Sequence, residues 1–118
     1  MSIMTIEGGI PLKGTVKVSG NKNAILPIIA ATMLTDEVVE LSNVPNIKDV
    51  AEMLQILTTL GARVEREGDK LLIEAKNLAS GNIPEELCRK IRTSILCVAP
   101  LLHRIGSVEL FPPGGDVI

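Results

Sequence analysis

The chain has 118 residues, which fits one domain or part of one, and 46% of them are hydrophobic, enough for a real core. Trp and Tyr are absent, Phe111 is the single aromatic residue, and 12 Lys and Arg are scattered among 14 Asp and Glu. This composition excludes a disordered tail. It also argues against nucleic acid as a partner, because nucleic-acid sites combine basic patches with stacking aromatic side chains.

The sequence also predicts a cytoplasmic protein. No basic region followed by an apolar run marks a signal peptide, and the longest helical apolar run, residues 24–34, falls short of the roughly 20 residues that cross a bilayer. Cys88 and Cys97 lie in apolar sequence without the spacing of a zinc site. Buried, reduced thiols are therefore favoured over a disulfide or a metal role, and no metal is expected.

Two short strands and a helix are predicted first along the chain. Residues 4–6 and 14–19 alternate between apolar and polar side chains and are separated by a Gly-Gly-Ile-Pro turn. The following helix is predicted over residues 23–34, because Pro27 is compatible with a helix only near its first turn. Lys22 is thereby placed just outside the helix.

A third strand over residues 38–41 precedes the most clearly amphipathic helix. Asn46 is the predicted N-cap of that helix, and Gly61 is its predicted stop. Two more strands, residues 62–66 and 70–74, flank a Glu-Gly-Asp turn that is typical of a hairpin. From residue 14 onward, the order of these elements is β-α-β-α-β-β.

The last third of the chain predicts a helix over residues 85–104, which Pro100 should kink or divide. A final strand is predicted over residues 107–111, followed by a loop rich in Pro and Gly. His103, near the helix C-terminus, suits the helix dipole better than a catalytic role. We assign the chain to the α/β (α+β) class.

Lys22 is the first candidate functional residue. It follows Gly20 in a polar loop at the start of a helix, where backbone N–H groups and the helix dipole favour an anion such as a phosphate or carboxylate. The loop is not a P-loop, since Asn21 and Asn23 replace the Gly and Ser or Thr that flank its lysine. On spacing alone, a simply solvated lysine remains the alternative.

Arg92 and Asp116 are the other candidates. Arg92 lies in a helix otherwise suited to burial, so its guanidinium should meet a protein carboxylate or face a ligand cleft. A helix-surface salt bridge explains the local pattern equally well. Asp116 ends a Pro-Pro-Gly-Gly-Asp segment that suits a lid carrying an acid, although such an Asp more often hydrogen-bonds within a turn.

In their order, these segments resemble the N-terminal part of the UDP-N-acetylglucosamine 1-carboxyvinyltransferases, a family of enolpyruvyl transferases. The residues that carry the resemblance span essentially the whole chain: Gly8, Leu12-Lys-Gly14, Val18-Ser-Gly20-Asn-Lys22-Asn23-Ala24-Ile-Leu26-Pro27, Asn43-Val44-Pro45, Lys48-Asp49-Val50, Leu60-Gly61-Ala62, Arg92-Thr-Ser94-Ile95, Ala99-Pro100-Leu101 and Pro113-Gly114-Gly115-Asp116. The sister enzyme of the shikimate pathway typically has Ser-Lys-Ser around the lysine. The Asn-Lys-Asn of this chain therefore favours the amino-sugar branch.

The resemblance implies a fold of two similar domains, each built from three β-α-β-α-β-β units. Residues 1–19 would pack in the other domain, and residues 20–118 would form part of the UDP-sugar-side domain, ending inside the catalytic loop. The implied reaction moves enolpyruvyl from phosphoenolpyruvate to the 3-hydroxyl of UDP-N-acetylglucosamine and releases phosphate. It opens peptidoglycan synthesis, and it requires no metal or organic cofactor.

The resemblance also implies roles for the candidate residues. Lys22 and Asn23 would contact phosphoenolpyruvate, and Arg92 would help to hold the UDP-sugar. Asp116 stands where most members carry a cysteine that protonates the substrate, so an aspartate acting as proton donor needs a pKa raised well above its usual value of about 3.9. Because fosfomycin alkylates that cysteine, we expect the complete enzyme to be insensitive to the drug.

Members of the family run several times longer than this chain, and the Gly-x-Arg-Pro-x-Asp segment expected after residue 118 is absent. We therefore expect the chain to be inactive without the remainder of the enzyme. Two alternatives stay open. One is a shikimate-pathway type or another relative with a different acceptor, and the other is a stand-alone anion-binding or interaction module.

Overall fold

The computed structural model describes residues 2–112. Within them the chain forms a three-stranded sheet covered by helices, in the order α1 (Lys22–Ala31), a 3₁₀ turn (Thr32–Leu34), β1 (Val38–Leu41), α2 (Lys48–Thr59), β2 (Arg63–Glu67), β3 (Lys70–Glu74), α3 (Glu85–Lys90), a 3₁₀ helix (Arg92–Cys97) and α4 (Val98–Ile105). This mixed architecture confirms the predicted fold class.

The sheet has the strand order β1-β3-β2, and both pairings are antiparallel. β2 and β3 form the predicted hairpin, with Glu67 opposite Lys70 at its closed end. β3 therefore lies at the centre, and its alternate residues Leu71 and Ile73 point into the core and are fully buried. The side chains of β2, in contrast, are mostly exposed, so one face of the sheet meets solvent.

α1 and α2 pack against each other, and α2 also contacts β2 of the sheet. α2 contributes Val50, Met53, Ile56 and Leu57, all fully buried, which confirms the helical apolar spacing read from the sequence. Gly61 ends the helix with φ of +109°. A side chain there would also lie 2.4 Å from the carbonyl oxygen of Asn77, so the stop requires glycine.

Both predicted helix starts need correction. α1 begins at Lys22, so the lysine is the first helical residue rather than lying outside the helix. α2 begins at Lys48 with Ile47, not Asn46, in the N-cap position and no side-chain cap. Ile47 is extended and packs against the core. Its burial fixes where the chain enters the helix, whatever the capping preference of Asn46.

The predicted helix over residues 85–104 is divided, but the division does not fall at Pro100 as predicted. The division falls at Ile91, which has an extended backbone and a buried side chain, between α3 and the 3₁₀ helix. Pro100 lies in the first turn of α4, where its missing N–H leaves no hydrogen bond unmade. Burial of Ile91, and not proline chemistry, thus sets the position of the break.

The two N-terminal strands do not form among the described residues. All side chains of residues 2–19 are exposed, and the chain has a radius of gyration of 17.4 Å, against about 13.5 Å for a compact domain of this length. A strand is stabilised by pairing with a neighbour, and here the segment has none within residues 2–112. The alternating pattern alone does not create a strand.

The predicted last strand, residues 107–111, is reduced to one parallel bridge between Asn82 and Glu109. The chain is held there by the hydrogen bonds of Ile83 N to Glu109 O, 3.3 Å, and of Glu109 N to Gly81 O, 3.1 Å. Partly buried Val108, Leu110 and Phe111 still pack against the core. The segment packs as a half-buried strand would, but too few backbone hydrogen bonds form to make the predicted strand.

Candidate anion-binding site

The N-terminus of α1 carries the first candidate residues. The side chain of Asn21 accepts a hydrogen bond from Ala24 N at 3.1 Å and caps the helix. Lys22 and Asn23 follow as its first two residues, and both are exposed. Immediately before them, a side chain at Gly20 would lie 2.2 Å from Asn43 O, so glycine permits the loop to approach residues 43–45 closely.

Lys22 is ion-paired with Asp49. Its Nζ lies 2.9 Å from Oδ2 of Asp49, which belongs to the first turn of α2. The pair joins the N-termini of the two central helices. The sequence contained Asp49 in the resembling Lys-Asp-Val segment, but its contact with Lys22 was not predicted.

Lys22, Asn23 and Arg92 line one cleft of about 490 Å³. Arg92 follows the extended Ile91, whose side chain is buried, and its own side chain is exposed. The break between α3 and the 3₁₀ helix therefore presents the guanidinium at the surface. No ion pair of Arg92 is found within residues 2–112, so it lines the cleft without a carboxylate partner, and its role in ligand binding stays a prediction.

The cleft is cationic, although the whole chain has a net charge of −2. Four cationic side chains and one carboxylate line it: Lys22, Arg89, Lys90, Arg92 and Asp49. Arg89 is also bound to Glu85 one turn away on α3. Lys90 and Arg92 leave a surplus of positive charge that suits an anionic ligand.

Thr93 is a further lining residue that the sequence analysis missed. Its Oγ1 is buried and has no hydrogen-bond partner within the described part of the chain. A buried hydroxyl without a partner is uncommon in folded proteins and costs stability. It follows Arg92 directly, so no composition or spacing signal separates it from an ordinary helix residue.

A larger groove, about 640 Å³, has Ser19, Gly20 and Arg66 among its lining residues. The guanidinium of Arg66 donates to the carbonyl oxygens of Gly68 at 3.1 Å and of Val44 and Pro45 at 3.2 Å each. Its hydrogen-bonding capacity is therefore used to hold the hairpin turn against the loop after β1. We base no functional assignment on this groove.

The remaining candidates lie elsewhere. Asp116 falls outside the described residues, so its position relative to the cleft stays a prediction. His103 is exposed in the last turn of α4. Cys88 and Cys97 are both free and buried, as predicted. Burial, with a smaller contribution from nearby Cys88, raises the pKa of the Cys97 thiol to about 12, so it is no nucleophile at neutral pH.

Two further structural features bear on the type of site. Among residues 2–112, no group of three or more His, Cys, Asp or Glu side chains is arranged to hold a metal ion. Over the same span, none of the helices is both long enough and apolar enough to cross a membrane.

Comparison with known proteins identifies the family. The model of the EPSP synthase (3-phosphoshikimate 1-carboxyvinyltransferase) family matches residues 6–118, almost the entire chain. The chain belongs to the EPSP synthase family. The members of this family are enolpyruvyl transferases, so the resemblance read from the sequence is confirmed at the level of the family.

Within the EPSP synthase family, the similar curated proteins are UDP-N-acetylglucosamine 1-carboxyvinyltransferases. That of Treponema denticola is 49% identical over 96% of this chain and 27% of its own length. That of Treponema pallidum is also 49% identical, over 100% of this chain and 28% of its own length. The chain thus spans about a quarter of the length of the relatives it matches.

A solved structure agrees with the family. The enolpyruvyl transferase NikO from Streptomyces tendae superposes with a TM-score of 0.72 at 27% sequence identity, over 84% of this chain and 23% of its own chain. The unit formed by the three strands and four α-helices is accordingly an enolpyruvyl transferase fold element.

Proposed function

We propose that the protein containing this chain transfers enolpyruvyl from phosphoenolpyruvate to the 3-hydroxyl of UDP-N-acetylglucosamine. The observation that carries the proposal is the cationic cleft in which Lys22, Asn23 and Arg92 come together. Both substrates are anions, and the relatives of 40 to 49% identity bear the name of this reaction. The activity belongs to peptidoglycan synthesis and to the cytoplasm, where both substrates are made available.

In the proposed site, Lys22 and Asn23 contact phosphoenolpyruvate. The 3-hydroxyl gives its proton to a base in the remainder of the enzyme, and its oxygen bonds to the central carbon of phosphoenolpyruvate. The methylene carbon takes up a proton from an acid at the same time, which gives a tetrahedral intermediate. Loss of a proton from the new methyl group, with departure of phosphate, then restores the double bond in the product. The ammonium of Lys22 stabilises the negative charge of phosphoenolpyruvate through both steps.

Arg92 holds the UDP-sugar in this proposal. A guanidinium at the mouth of a cleft suits a diphosphate, because its planar array of donors matches phosphate oxygens. Asp116 supplies the proton to the methylene carbon. The closing of its loop over anionic phosphoenolpyruvate would raise the pKa of the carboxyl and keep it protonated.

The remainder of the same polypeptide completes the cleft and covers the N-terminal segment. Seven large apolar side chains between residues 2 and 19 are 78 to 98% exposed: Ile3, Met4, Ile6, Ile10, Leu12, Val16 and Val18. That much exposed apolar surface on one segment disfavours the stand-alone module and favours burial against another part of the protein. We place residues 1–19 in the second domain of the complete enzyme.

The test is an acceptor comparison with the full-length gene product that carries this chain. Phosphate release from phosphoenolpyruvate is measured with UDP-N-acetylglucosamine or with shikimate 3-phosphate as the acceptor. Release with the amino sugar only supports the proposal. Phosphate release with shikimate 3-phosphate only would assign the protein to the sister enzyme. Anion binding without phosphate release in the presence of either acceptor would instead support the stand-alone module.

A further inference from the structure

The ion pair between Lys22 and Asp49 joins two side chains in different surroundings. The Lys22 side chain is 59% exposed and that of Asp49 is 32% exposed, with 2.9 Å between Nζ and Oδ2. Asp49 lies in the first turn of α2, where the helix dipole favours an anion. Its carboxylate is therefore held by its own helix, whereas the lysine has a long and largely solvated side chain.

Lys22 needs such a partner more than most lysines. It is the first residue of α1, at the positive end of the helix dipole, where a cation is disfavoured. A lysine side chain also loses considerable rotamer freedom when it is fixed in one position. The attraction of the Asp49 carboxylate, 2.9 Å from the ammonium, offsets both of these costs.

We infer that Asp49 is a positioning residue, which aims the ammonium of Lys22 into the cleft. The inference rests on the proposed function for its kinetic consequence. Asp49 itself lines the cleft but is an anion, so it contributes to the reaction through Lys22 and not by binding an anionic substrate. The competing explanation is a purely structural ion pair that joins α1 to α2.

The two explanations differ in their effect on phosphoenolpyruvate kinetics. In Asp49→Asn, Lys22 loses its orientation and kcat falls, by about ten- to a hundredfold for a misplaced catalytic cation. The KM for phosphoenolpyruvate changes much less, because the lost orientation and the removal of a repelling carboxylate act in opposite directions. Asp49→Glu, which restores the charge, recovers part of the loss in kcat.

A double-mutant cycle separates positioning from structure. If Asp49 acts through Lys22, Asp49→Asn causes little further loss in kcat when Lys22→Met, which removes the cation, is already present. The matched control is Asp69→Asn, since Asp69 also pairs with a lysine, Lys17, at 3.6 Å but lies outside the cleft. We expect this control to keep kcat and KM within about twofold of the unmodified protein.

A second measurement does not require turnover. In the full-length gene product labelled at lysine Cε, the signal of Lys22, assigned by its loss in Lys22→Arg, reports whether the side chain is ordered. We expect separate resonances for its two Hε protons, which collapse to one in Asp49→Asn and remain separate in Asp69→Asn. Inorganic phosphate should shift the Lys22 signal less in Asp49→Asn than in the unmodified protein.

Different outcomes overturn different claims. The positioning role would be refuted if Asp49→Asn had the same kcat as Asp69→Asn, or if the two losses in kcat multiplied in the double mutant. It would also be refuted if Asp49→Asn left the Lys22 resonances unchanged. Absence of turnover by the unmodified full-length protein would refute the proposed function instead. In that case the Lys22 resonances still decide whether Asp49 orients the lysine.

Discussion

Lys22 and Arg92 line the same cleft although they are separated by most of the chain. Lys22 reaches the cleft from the first turn of α1, and Arg92 reaches it from the start of the 3₁₀ helix that follows the extended Ile91. The cleft is therefore built from two helix starts. The two residues have different proposed substrates, phosphoenolpyruvate for Lys22 and the UDP-sugar for Arg92, so their substitution should affect different kinetic parameters.

Removal of the Lys22 cation should lower kcat/KM for phosphoenolpyruvate in the full-length gene product. We expect a loss of about a hundredfold or more for Lys22→Met, because a preorganised charge acts most strongly on the charge that develops during reaction. Steady-state kinetics with phosphoenolpyruvate varied at saturating acceptor measure the effect. An activity of Lys22→Met within threefold of the unmodified protein would contradict the role of the lysine.

Arg92→Met should instead raise the KM for UDP-N-acetylglucosamine. The loss of charge-assisted hydrogen bonds to phosphate corresponds to about ten- to a hundredfold in affinity, with a smaller change in kcat. The control is Arg63→Met, which removes an exposed arginine of β2 that lies outside the cleft. If both variants have the same KM for the sugar nucleotide, Arg92 does not bind it.

Arg104 should be a major determinant of stability. Its guanidinium donates to the carbonyl oxygens of Met33 and Thr35, each at 2.9 Å, and of Ala75 at 2.8 Å, so one side chain of α4 holds the segments that follow α1 and β3. Arg104→Met leaves these partly buried carbonyls without a donor and should reduce the free energy of unfolding by about 2 to 4 kcal/mol.

Urea unfolding followed by circular dichroism measures the effect of Arg104→Met. Arg63→Met serves again as the control, since Arg63 pairs with Glu65 and Glu74 on the exposed face of the sheet and should leave the unfolding midpoint nearly unchanged. Equal midpoints for the two variants would show that hydrogen bonds to water replace those of Arg104 without a loss in the free energy of unfolding.

The buried thiol of Cys97 predicts a loss of stability at high pH. Its pKa is raised from 9.0 to about 12 by burial and, less strongly, by Cys88. Between these values the folded state retains a proton that the unfolded state has lost, so the free energy of unfolding falls as the pH rises through this window. By about pH 10.5 the loss should reach about 2 kcal/mol.

The comparison for this prediction is Cys97→Ala. The variant is less stable at every pH because it leaves a small cavity beside Met53, but it should lack this part of the pH dependence. Unfolding free energies at about pH 8 and about pH 10.5 give the slope for each protein. Parallel slopes would show that Cys97 ionises equally easily in both states.

Fosfomycin should fail to label the full-length gene product. In the proposed site Asp116 takes the place of the cysteine that the resemblance implies as the target of the drug, and a carboxylate is a much weaker nucleophile towards an epoxide than a thiolate. Intact-protein mass spectrometry after incubation with fosfomycin and UDP-N-acetylglucosamine tests this, with Asp116→Cys as the variant expected to gain one adduct. An adduct on the unmodified protein would contradict the prediction.

The sequence by itself determined the elements in which the spacing of apolar residues matches the positions that are buried. The apolar positions of α2, its stop at Gly61 and the β2-β3 hairpin follow from side-chain spacing and turn chemistry, which act locally. Lys22 and Arg92 were singled out as candidates from their local surroundings, and Asn23 was added by the resemblance; their roles stay predictions. The family comparison confirms the resemblance that those motifs carry.

Only the tertiary structure decided which residues meet. The pairing of Lys22 with Asp49 and the break at buried Ile91 depend on contacts between elements distant in sequence, which no local propensity encodes. The same holds for the Thr93 hydroxyl, which has no hydrogen-bond partner within the described residues. For the same reason the alternation in residues 2–19 did not produce strands. A strand needs a neighbour to accept its hydrogen bonds, and residues 2–112 offer that segment none.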